Sequence, residues 1–231
     1  CSLMIAIVDG DILAYKIGFG CEDYKQKYAI NKLAEYLEEL VFINANCDDA
    51  VGYLTGSNNY RNKIAKTQSY KGHRRSGKPK HLPILREYME KAWGFEVQEN
   101  QEADDAIGIK AYEMNEQDYV ICTIDKDLDN IRGWHYNFQR NDLYYLSEKE
   151  TIKHFYKQLL TGDRTDNIPG LKGIGDKTAE KILTDLEDEE DLYRAVLEEY
   201  KYNREYLLEQ GQLLWIRKQK DQMWTLPEYI E

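Results

Sequence analysis

The stretch MIAIVDGD at residues 4–11 places five apolar residues directly before the acidic sequence DGD. Such a run predicts a buried strand that ends at Asp9. The pattern returns at Tyr119–Thr123, which Asp125 and Asp127 follow. Because ligands of a parallel α/β sheet bind beyond the carboxyl ends of its strands, these acids predict a site at one edge of the sheet.

Strands and helices alternate along the first part of the chain. Strands are predicted at residues 50–54, 95–98, 134–138 and 143–146, and helices at residues 29–44, 83–93 and 103–114. This alternation predicts an α/β fold with a mostly parallel central sheet flanked by helices. From residue 147 the pattern is helix and loop alone, beginning with a capping box from Ser147 to Glu150. We therefore predict an α/β domain over residues 1–146 and a helical subdomain over residues 147–231.

The charge of the chain is unevenly distributed. Its 231 residues carry a formal net charge of −11, yet residues 56–86 contain nine Lys or Arg and no Asp or Glu. A basic segment on an acidic body predicts that one part of the molecule binds a polyanion. No apolar run approaches the roughly 20 residues that span a bilayer, so we expect no membrane association. The four cysteines lack the spacing of a zinc site or a disulfide framework, which favours a reducing, cytoplasmic location.

Four groups of carboxylates lie where a common site could form. They are Asp9 with Asp11, Glu102 with Asp104 and Asp105, Asp125 with Asp127, and Asp163 with Asp166. Each group alone could be a turn, a helix cap or an anion at a helix N-terminus. Together they would repel one another unless cations were bound. An all-oxygen ligand set matches Mg²⁺ or Mn²⁺ rather than zinc, and two such ions roughly 3.5–4 Å apart can promote phosphodiester hydrolysis.

The basic segment interleaves cations with Tyr60 and Tyr70. Cations neutralise phosphates, and aromatic faces stack on exposed bases at about 1–3 kcal/mol each. Lys71 or Arg74 could also stabilise charge that develops on a reacting phosphate. The alternative is a solvated charged face, against which stands the absence of any acid across the segment.

The stretch GDRTDNIPGLKGIGDKTA at residues 162–179 leads into a predicted helix. Glycines let a backbone approach a ligand closely, and amides at a helix N-terminus suit a phosphate. Lys172 and Lys177 add positive charge. A plain interhelical loop is the alternative, but the whole run is typical of a helix–loop–helix element that holds a DNA backbone.

Five segments in this order resemble the 5′ nuclease superfamily, which includes flap endonucleases, bacteriophage 5′–3′ exonucleases and the 5′ nuclease domain of bacterial DNA polymerase I. They are DGD at residue 9, YRNKI and YKGHR within residues 60–74, EADD at 102–105, DKDL at 125–128 and the glycine-rich run at 162–179. The resemblance implies a helical arch over about residues 56–86 and a helix–three-turn–helix over about residues 159–186. It also implies two Mg²⁺ or Mn²⁺ ions, with K⁺ at the helix–three-turn–helix.

The resemblance assigns roles to individual residues. The implied metal ligands are Asp9, Glu102, Asp104, Asp105, Asp125, Asp127, Asp163 and Asp166. The residues expected to take part directly in catalysis are Asp9, Asp127, Lys71 and Arg74. The residues expected to contact DNA are Tyr60, Arg61, Lys66, Tyr70, Lys71, Arg74, Arg75, Lys172, Gly173, Gly175 and Lys177.

The implied activity is hydrolysis of DNA, and of RNA, near 5′ ends, flaps or branched junctions. The expected partner is DNA with a free 5′ end, or an RNA/DNA hybrid, bound by a monomer in a bacterial or phage-infected cytosol. The chain departs from the family pattern at Thr55, where the family usually has an Asp at the end of the second strand. That departure leaves open a non-catalytic DNA-binding protein of the same fold, and a ribonuclease with a related acidic cluster is a further alternative that would not need residues 163–179.

Overall fold

The structure, a computed structural model, describes residues 3–73 and 77–229. Its first unit contains β1 (Ile5–Asp9), α1 (Gly10–Gly20), α2 (Gln26–Glu38), β2 (Asp49–Thr55), α3 (Arg61–Ile64), α4 (Leu82–Trp93), β3 (Glu96–Gln98), α5 (Ala103–Glu113), β4 (Tyr119–Thr123), β5 (Gly133–Asn137) and β6 (Asp142–Leu146). Helix α2 continues as a π-helix over Glu39–Asn44, and a 3₁₀ helix over Lys126–Asn130 follows β4. Four further helices complete the chain: α6 (Glu148–Thr161), α7 (Asp176–Leu183), α8 (Glu189–Glu199) and α9 (Arg204–Leu214).

The six strands form one sheet in the order β3-β2-β1-β4-β5-β6. All neighbouring pairs are parallel except β5 and β6, which form an antiparallel hairpin at the edge. The predicted α/β fold with a mostly parallel sheet is confirmed. In β1 the side chains alternate between faces, so that Ala6 and Val8 pack in the core with α1, α2 and α4, whereas Ile7 packs in the core with α5.

The helices after residue 147 share a second hydrophobic core that includes Phe155, Leu159, Val196 and Leu207, and Tyr70 of the basic segment packs into it. The predicted capping box is present, because Ser147 Oγ accepts from the Glu150 amide at 3.3 Å and Glu150 Oε2 accepts from the Ser147 amide at 2.8 Å. Among the described residues, no helix combines the length and the apolar character that crossing a membrane requires.

One helix was missed by the sequence analysis, and the predicted arch contains little helix in its described part. Helix α1 was not predicted, because its sequence GDILAYKIGFG is apolar around much of its circumference and shows no clear helical period. The basic segment was expected to form a helical arch. In its described part the chain between residues 56 and 81 contains only the four-residue helix α3, together with turns, before α4 begins.

Candidate metal centre

Asp9 stands at the junction of β1 and α1, where the central strands end. Its carboxylate caps α1 by accepting from the Ile12 amide at 3.3 Å, and it accepts from Thr123 Oγ1 of β4 at 2.9 Å. Thr123 Oγ1 in turn accepts from the Asp125 amide at 3.0 Å. Thr123 therefore links the acids of the two central strands, although the sequence marked it only as the last residue of a strand.

The acids from β1, α5 and the turn after β4 act on one another electrostatically. Burial, followed by the charges of Asp11 and Asp125, raises the pKa of Asp9 to about 7. Burial and then the charges of Asp9 and Asp125 raise the pKa of Asp104 well above its ordinary value. Carboxylates contributed by residues 9, 104 and 125 therefore converge, and they disfavour one another's ionisation.

A second group of acids lies beside the first. Three carboxylate oxygens, one each from Asp127, Asp163 and Asp166, lie within 4.8 Å of one another. Burial, followed by the charges of Asp125, Asp163 and Asp166, raises the pKa of Asp127 to about 9. These partly buried oxygens repel one another without a cation, so the group has the donor chemistry to hold a divalent metal ion.

Glu102 shows the opposite behaviour. Burial alone would raise its pKa, but Arg61 and Lys71 outweigh burial and lower the pKa to about 2. Arg61 Nη1 lies 3.1 Å from Glu102 Oε2, and the Lys71 ammonium forms an ion pair with the other carboxylate oxygen. Lys71 Nζ also lies 3.5 Å from Asp166 Oδ2, so it joins Glu102 to the second group of acids.

Asp105 and Arg61 form a buried ion pair rather than taking the roles predicted for them. Two guanidinium nitrogens of Arg61 contact the two Asp105 oxygens at 2.6 and 2.9 Å, and Arg61 also donates to the carbonyls of Leu213 and Trp215 at 2.9 and 2.6 Å. Asp105 is 0% exposed and Arg61 is 2% exposed. The assignment of Asp105 as a metal ligand and of Arg61 as a DNA contact is therefore corrected, because both groups are already saturated inside the protein.

The two tyrosines of the basic segment are also engaged internally. The guanidinium groups of Arg61 and Arg217 both contact the Tyr60 ring, at 4.7 and 4.0 Å from the ring centroid. Tyr70 is 6% exposed, and its hydroxyl lies 2.7 Å from oxygens of both Glu102 and Asp166. Both rings contact protein groups in the structure described, and their predicted stacking on bases stays a prediction.

The remaining predicted contacts of the basic segment are differently placed. Lys66 is exposed and lies 3.6 Å from Glu205. Arg74 and Arg75 lie outside the described residues, so their predicted roles stay predictions. The backbone on both sides of Tyr70 is hydrogen-bonded to the glycine-rich loop. The Lys71 amide donates to the Asp166 carbonyl at 2.9 Å, and Asn167 Nδ2 donates to the Ser69 carbonyl at 2.8 Å.

The glycine-rich loop connects α6 to α7. A Cβ atom at Gly162 or Gly170 would lie within 2.3 Å of backbone atoms, so these two glycines allow the loop to fold back on itself. At Gly173 (φ +87°) and Gly175 an added Cβ would meet no atom within 4 Å. Lys172 and Lys177 are exposed on either side. The stretch from 172 to 177 therefore leaves backbone and two cations accessible to a ligand.

Thr55 holds the entrance to α5 instead of supplying a carboxylate. Its hydroxyl accepts from the Ala103 amide at 2.9 Å, and its amide donates to Asp11 at 2.9 Å. Arg86 closes this unit by donating to Asp11 Oδ1 at 2.7 Å and to the Thr55 carbonyl at 2.8 Å. Burial raises the pKa of Asp11 in spite of these contacts. Sequence reasoning placed Arg86 in the basic segment but did not predict that it would pair with Asp11.

A cavity of about 1330 Å³ opens over the acids. Asp9, Asp104 and Asp125 contribute to one wall, and the cations Lys16, Lys78 and Lys80 contribute to the rest of the lining. The cavity thus presents carboxylates and positive charge to the same ligand.

No family model matches the chain. It is 27% identical over 222 residues to DNA polymerase I of Caldicellulosiruptor bescii, which covers 83% of this chain and 25% of that protein. It is 29% identical over 221 residues to a 5′-3′ exonuclease of Buchnera aphidicola, covering 83% of this chain and 74% of the relative. The chain spans about a quarter of the length of the DNA polymerase I relatives that it matches.

Solved structures share the fold at low sequence identity. A bacteriophage T5 D15 flap endonuclease in a pseudo-enzyme-product complex with DNA and metal ions superposes with a TM-score of 0.68 at 16% identity, covering 91% of this chain and 88% of that one. A T5 5′-exonuclease with bound zinc superposes with a TM-score of 0.65 at 18% identity, covering 91% and 88%. The catalytic core of Rad2 in complex with DNA substrate gives a TM-score of 0.56 at 13% identity, covering 87% and 68%.

Proposed function

We propose that this chain is a member of the 5′ nuclease superfamily. In this proposal it is a divalent-metal-dependent nuclease that hydrolyses phosphodiester bonds of DNA near 5′ ends, flaps or branched junctions. The observation that carries the proposal is the convergence of acids from four distant segments of the chain. Asp9, Asp104 and Asp125 line a cavity together with basic residues, and Asp127 groups with Asp163 and Asp166. We include RNA strands and RNA/DNA hybrids among the proposed substrates. We also propose that the protein acts as a monomer in the cytoplasm.

The acids fit Mg²⁺ or Mn²⁺, because the donors are carboxylate oxygens. Burial first, and neighbouring acids second, raise the pKa values of Asp9 and Asp127, and a hard cation would offset the cost of keeping these carboxylates ionised. Asp9, Asp104 and Asp125 would hold one ion, and Asp127, Asp163 and Asp166 a second. Such ions, when bound, activate water and stabilise the leaving oxygen of a phosphodiester.

The protein's own groups would position the substrate and balance its charge. Lys71, already beside Glu102 and Asp166, would donate to an oxygen of the scissile phosphate and stabilise its developing charge. Cleavage would leave a 5′ phosphate and a 3′ hydroxyl. Asp9 and Asp127 would take part as metal ligands, and Arg74 retains its predicted catalytic role.

Two further surfaces would hold the nucleic acid. We assign the duplex backbone to the loop at 172–177, where accessible amides of Gly173 and Gly175, the cations Lys172 and Lys177, and a K⁺ ion would neutralise phosphates. Lys66 and Arg75 would contact the single strand. In this proposal residues 1–146 form the catalytic domain and residues 147–231 the DNA-binding subdomain, with the helix–three-turn–helix at about 159–186.

The test is digestion of an end-labelled 5′-flap duplex with Mg²⁺, with and without a chelator. We expect cleavage that stops on chelation and falls by at least about 100-fold in Asp125→Ala and Asp127→Ala, since each removes a metal ligand. Asp129→Ala is the matched control, because Asp129 lies in the same 3₁₀ helix but accepts from Tyr144 at 2.7 Å. Full activity in the two site variants, or chelator-resistant cleavage, would refute the proposal.

A non-catalytic DNA-binding protein of this fold is the second candidate, favoured by Thr55 in place of an acid. Binding and cleavage of the flap duplex measured separately in Ca²⁺ and in Mg²⁺ distinguish the two. The nuclease proposal expects binding in both and cleavage in Mg²⁺, whereas the second candidate expects binding in both without cleavage.

A further inference from the structure

Two buried amide side chains stand behind Asp127. Gln158 of α6 donates from Nε2 to Asp127 Oδ1 at 2.7 Å. Asn130, at the end of the 3₁₀ helix, donates from Nδ2 to Gln158 Oε1 at 2.7 Å and to the Asp127 carbonyl at 2.9 Å. The three residues form a closed network in which each hydrogen bond constrains the next.

Both amide side chains are buried, which is costly for polar groups. Gln158 is 8% exposed and Asn130 is 6% exposed. An amide in such a place costs stability unless it is hydrogen-bonded, and Asn130 Oδ1 has no partner among the described residues. An apolar residue would fill either position at lower cost. The arrangement is therefore better explained by what it does to Asp127 than by stability.

The network fixes the orientation of the Asp127 carboxylate. Its Oδ1 is held by Gln158, and the Asp127 amide donates to Asp125 Oδ1 at 2.9 Å. Held in this way, Asp127 keeps an oxygen within 4.8 Å of oxygens from Asp163 and Asp166 although the three acids repel one another. Outer groups that orient a ligand in this way commonly change metal affinity by 10–100-fold when they are removed.

We propose that Gln158, supported by Asn130, is a positioning residue that orients Asp127 as a ligand of the divalent cation shared with Asp163 and Asp166. This inference rests on the proposed function, since it presumes that the acids bind a metal. It adds α6 to the metal centre: the helix that leads into the glycine-rich loop also sets the geometry of a ligand.

The experiment is calorimetric titration of the DNA-free protein with Mn²⁺. The Mn²⁺ binding that is lost in Asp127→Ala is the binding that depends on this ligand. Gln158→Met keeps the side-chain length but removes the donor, and we expect the affinity of this binding to fall about 10-fold. Asn130→Ala leaves the donor but removes its support, and we expect a smaller fall, about 2- to 3-fold. The control is Thr151→Val, which removes a buried hydroxyl on the same helix that donates to the Glu148 carbonyl at 2.7 Å.

Cleavage as a function of Mg²⁺ concentration gives the second readout. A positioning role predicts a higher half-saturating Mg²⁺ concentration for Gln158→Met, with most of kcat recovered at saturation. Unchanged Mn²⁺ affinity in Gln158→Met, while Asp127→Ala loses it, would overturn the inference and leave the proposed function intact. Absence of Mn²⁺ binding by the unaltered protein would instead overturn the metal-dependent function on which the inference rests.

Discussion

Six buried or partly buried acids of the candidate site fall into two sets that differ in their partners. In the compensated set, Glu102 and Asp105 are paired with Arg61 and Lys71. In the uncompensated set, which we define as Asp9, Asp104, Asp125 and Asp127, no acid forms an ion pair with a Lys or Arg of the described part of the chain. The pKa of Glu102 falls to about 2, whereas that of Asp127 rises to about 9.

Burial is the largest influence on the pKa of both Glu102 and Asp127, and in each residue it raises the pKa. The neighbours therefore decide the outcome. Where the chain supplies its own cations, the acids serve to hold α3, α5 and the segment after α9 together. Where the described residues form no ion pair with an acid, the folded protein carries an electrostatic cost that an external cation would relieve.

The largest expected effect comes from removing Arg61, an internal cation of the compensated set. Arg61→Met should lower the free energy of unfolding by about 3–5 kcal/mol, because it leaves Asp105 and Glu102 buried without their partner. Urea denaturation measures the loss. The double variant Arg61→Met with Asp105→Leu should recover much of it, and a double variant as unstable as the sum of the two single variants would contradict the pairing argument.

His135 shows how burial changes the pKa of a group to whose shift no acidic neighbour contributes. Its Nε2–H donates to the Ile131 carbonyl at 2.7 Å, and burial lowers its pKa to about 4. The neutral form is favoured by folding, so its contribution is fully present above the unfolded-state pKa of 6.5 and is lost as pH falls toward 4. The loss should reach about 3 kcal/mol.

The measurement for His135 is urea unfolding of the unaltered protein and of His135→Gln between pH 7 and pH 4. Subtracting one pH profile from the other removes the contribution of the carboxylates. Parallel profiles for the two proteins would show that burial is not the source of the shift.

Adding a divalent cation should sharpen the contrast between the two sets of acids. Mn²⁺ at about 100 times its dissociation constant should raise the free energy of unfolding by about 2.7 kcal/mol, and a chelator should reverse the gain. Asp127→Ala should lose most of this increment, while Asp129→Ala should keep it. Thermal or urea unfolding at fixed protein concentration provides the measurement, and equal increments in all three proteins would place the cation elsewhere.

The smallest expected effects test whether removing a charge has opposite effects on stability in the two sets of acids. In metal-free buffer at pH 7.5, Glu102→Gln should lower the free energy of unfolding by about 1–3 kcal/mol, because it weakens hydrogen-bonded ion pairs. Asp127→Asn should raise it by about 1 kcal/mol, because the folded protein no longer has to protonate or tolerate a repelled carboxylate. Destabilisation by both substitutions, measured by urea denaturation, would contradict the division into two sets.

The sequence was a good guide where the relevant signal is local. The strand before Asp9 and the strand before Asp125 were both predicted within one residue, because an apolar run followed by an acid is recorded in fewer than ten consecutive positions. The capping box at Ser147 is equally local. Helix α1 escaped prediction because a segment that is apolar on most sides carries no periodic contrast.

The roles of Arg61, Tyr60 and Tyr70 could not be read in the same way. A cation between aromatic residues in a basic segment is typical of a nucleic-acid surface, and the same residues can equally pack inward. Here α9 and the segment that follows it cover Arg61, whose guanidinium is held by the carbonyls of Leu213 and Trp215. Gln158 carried no signal at all, because a glutamine in a helix is usually exposed.

Residue order alone was enough to predict that acids gather at the carboxyl edge of a parallel sheet, since strand period and turn position are properties of short segments. Which of those acids has a cation of its own depended on the folded chain. Arg61 reaches Asp105 across 44 residues and the Leu213 carbonyl across 152. Electrostatic pairing follows distance in space, and that distance is set by how the helices pack rather than by spacing along the chain.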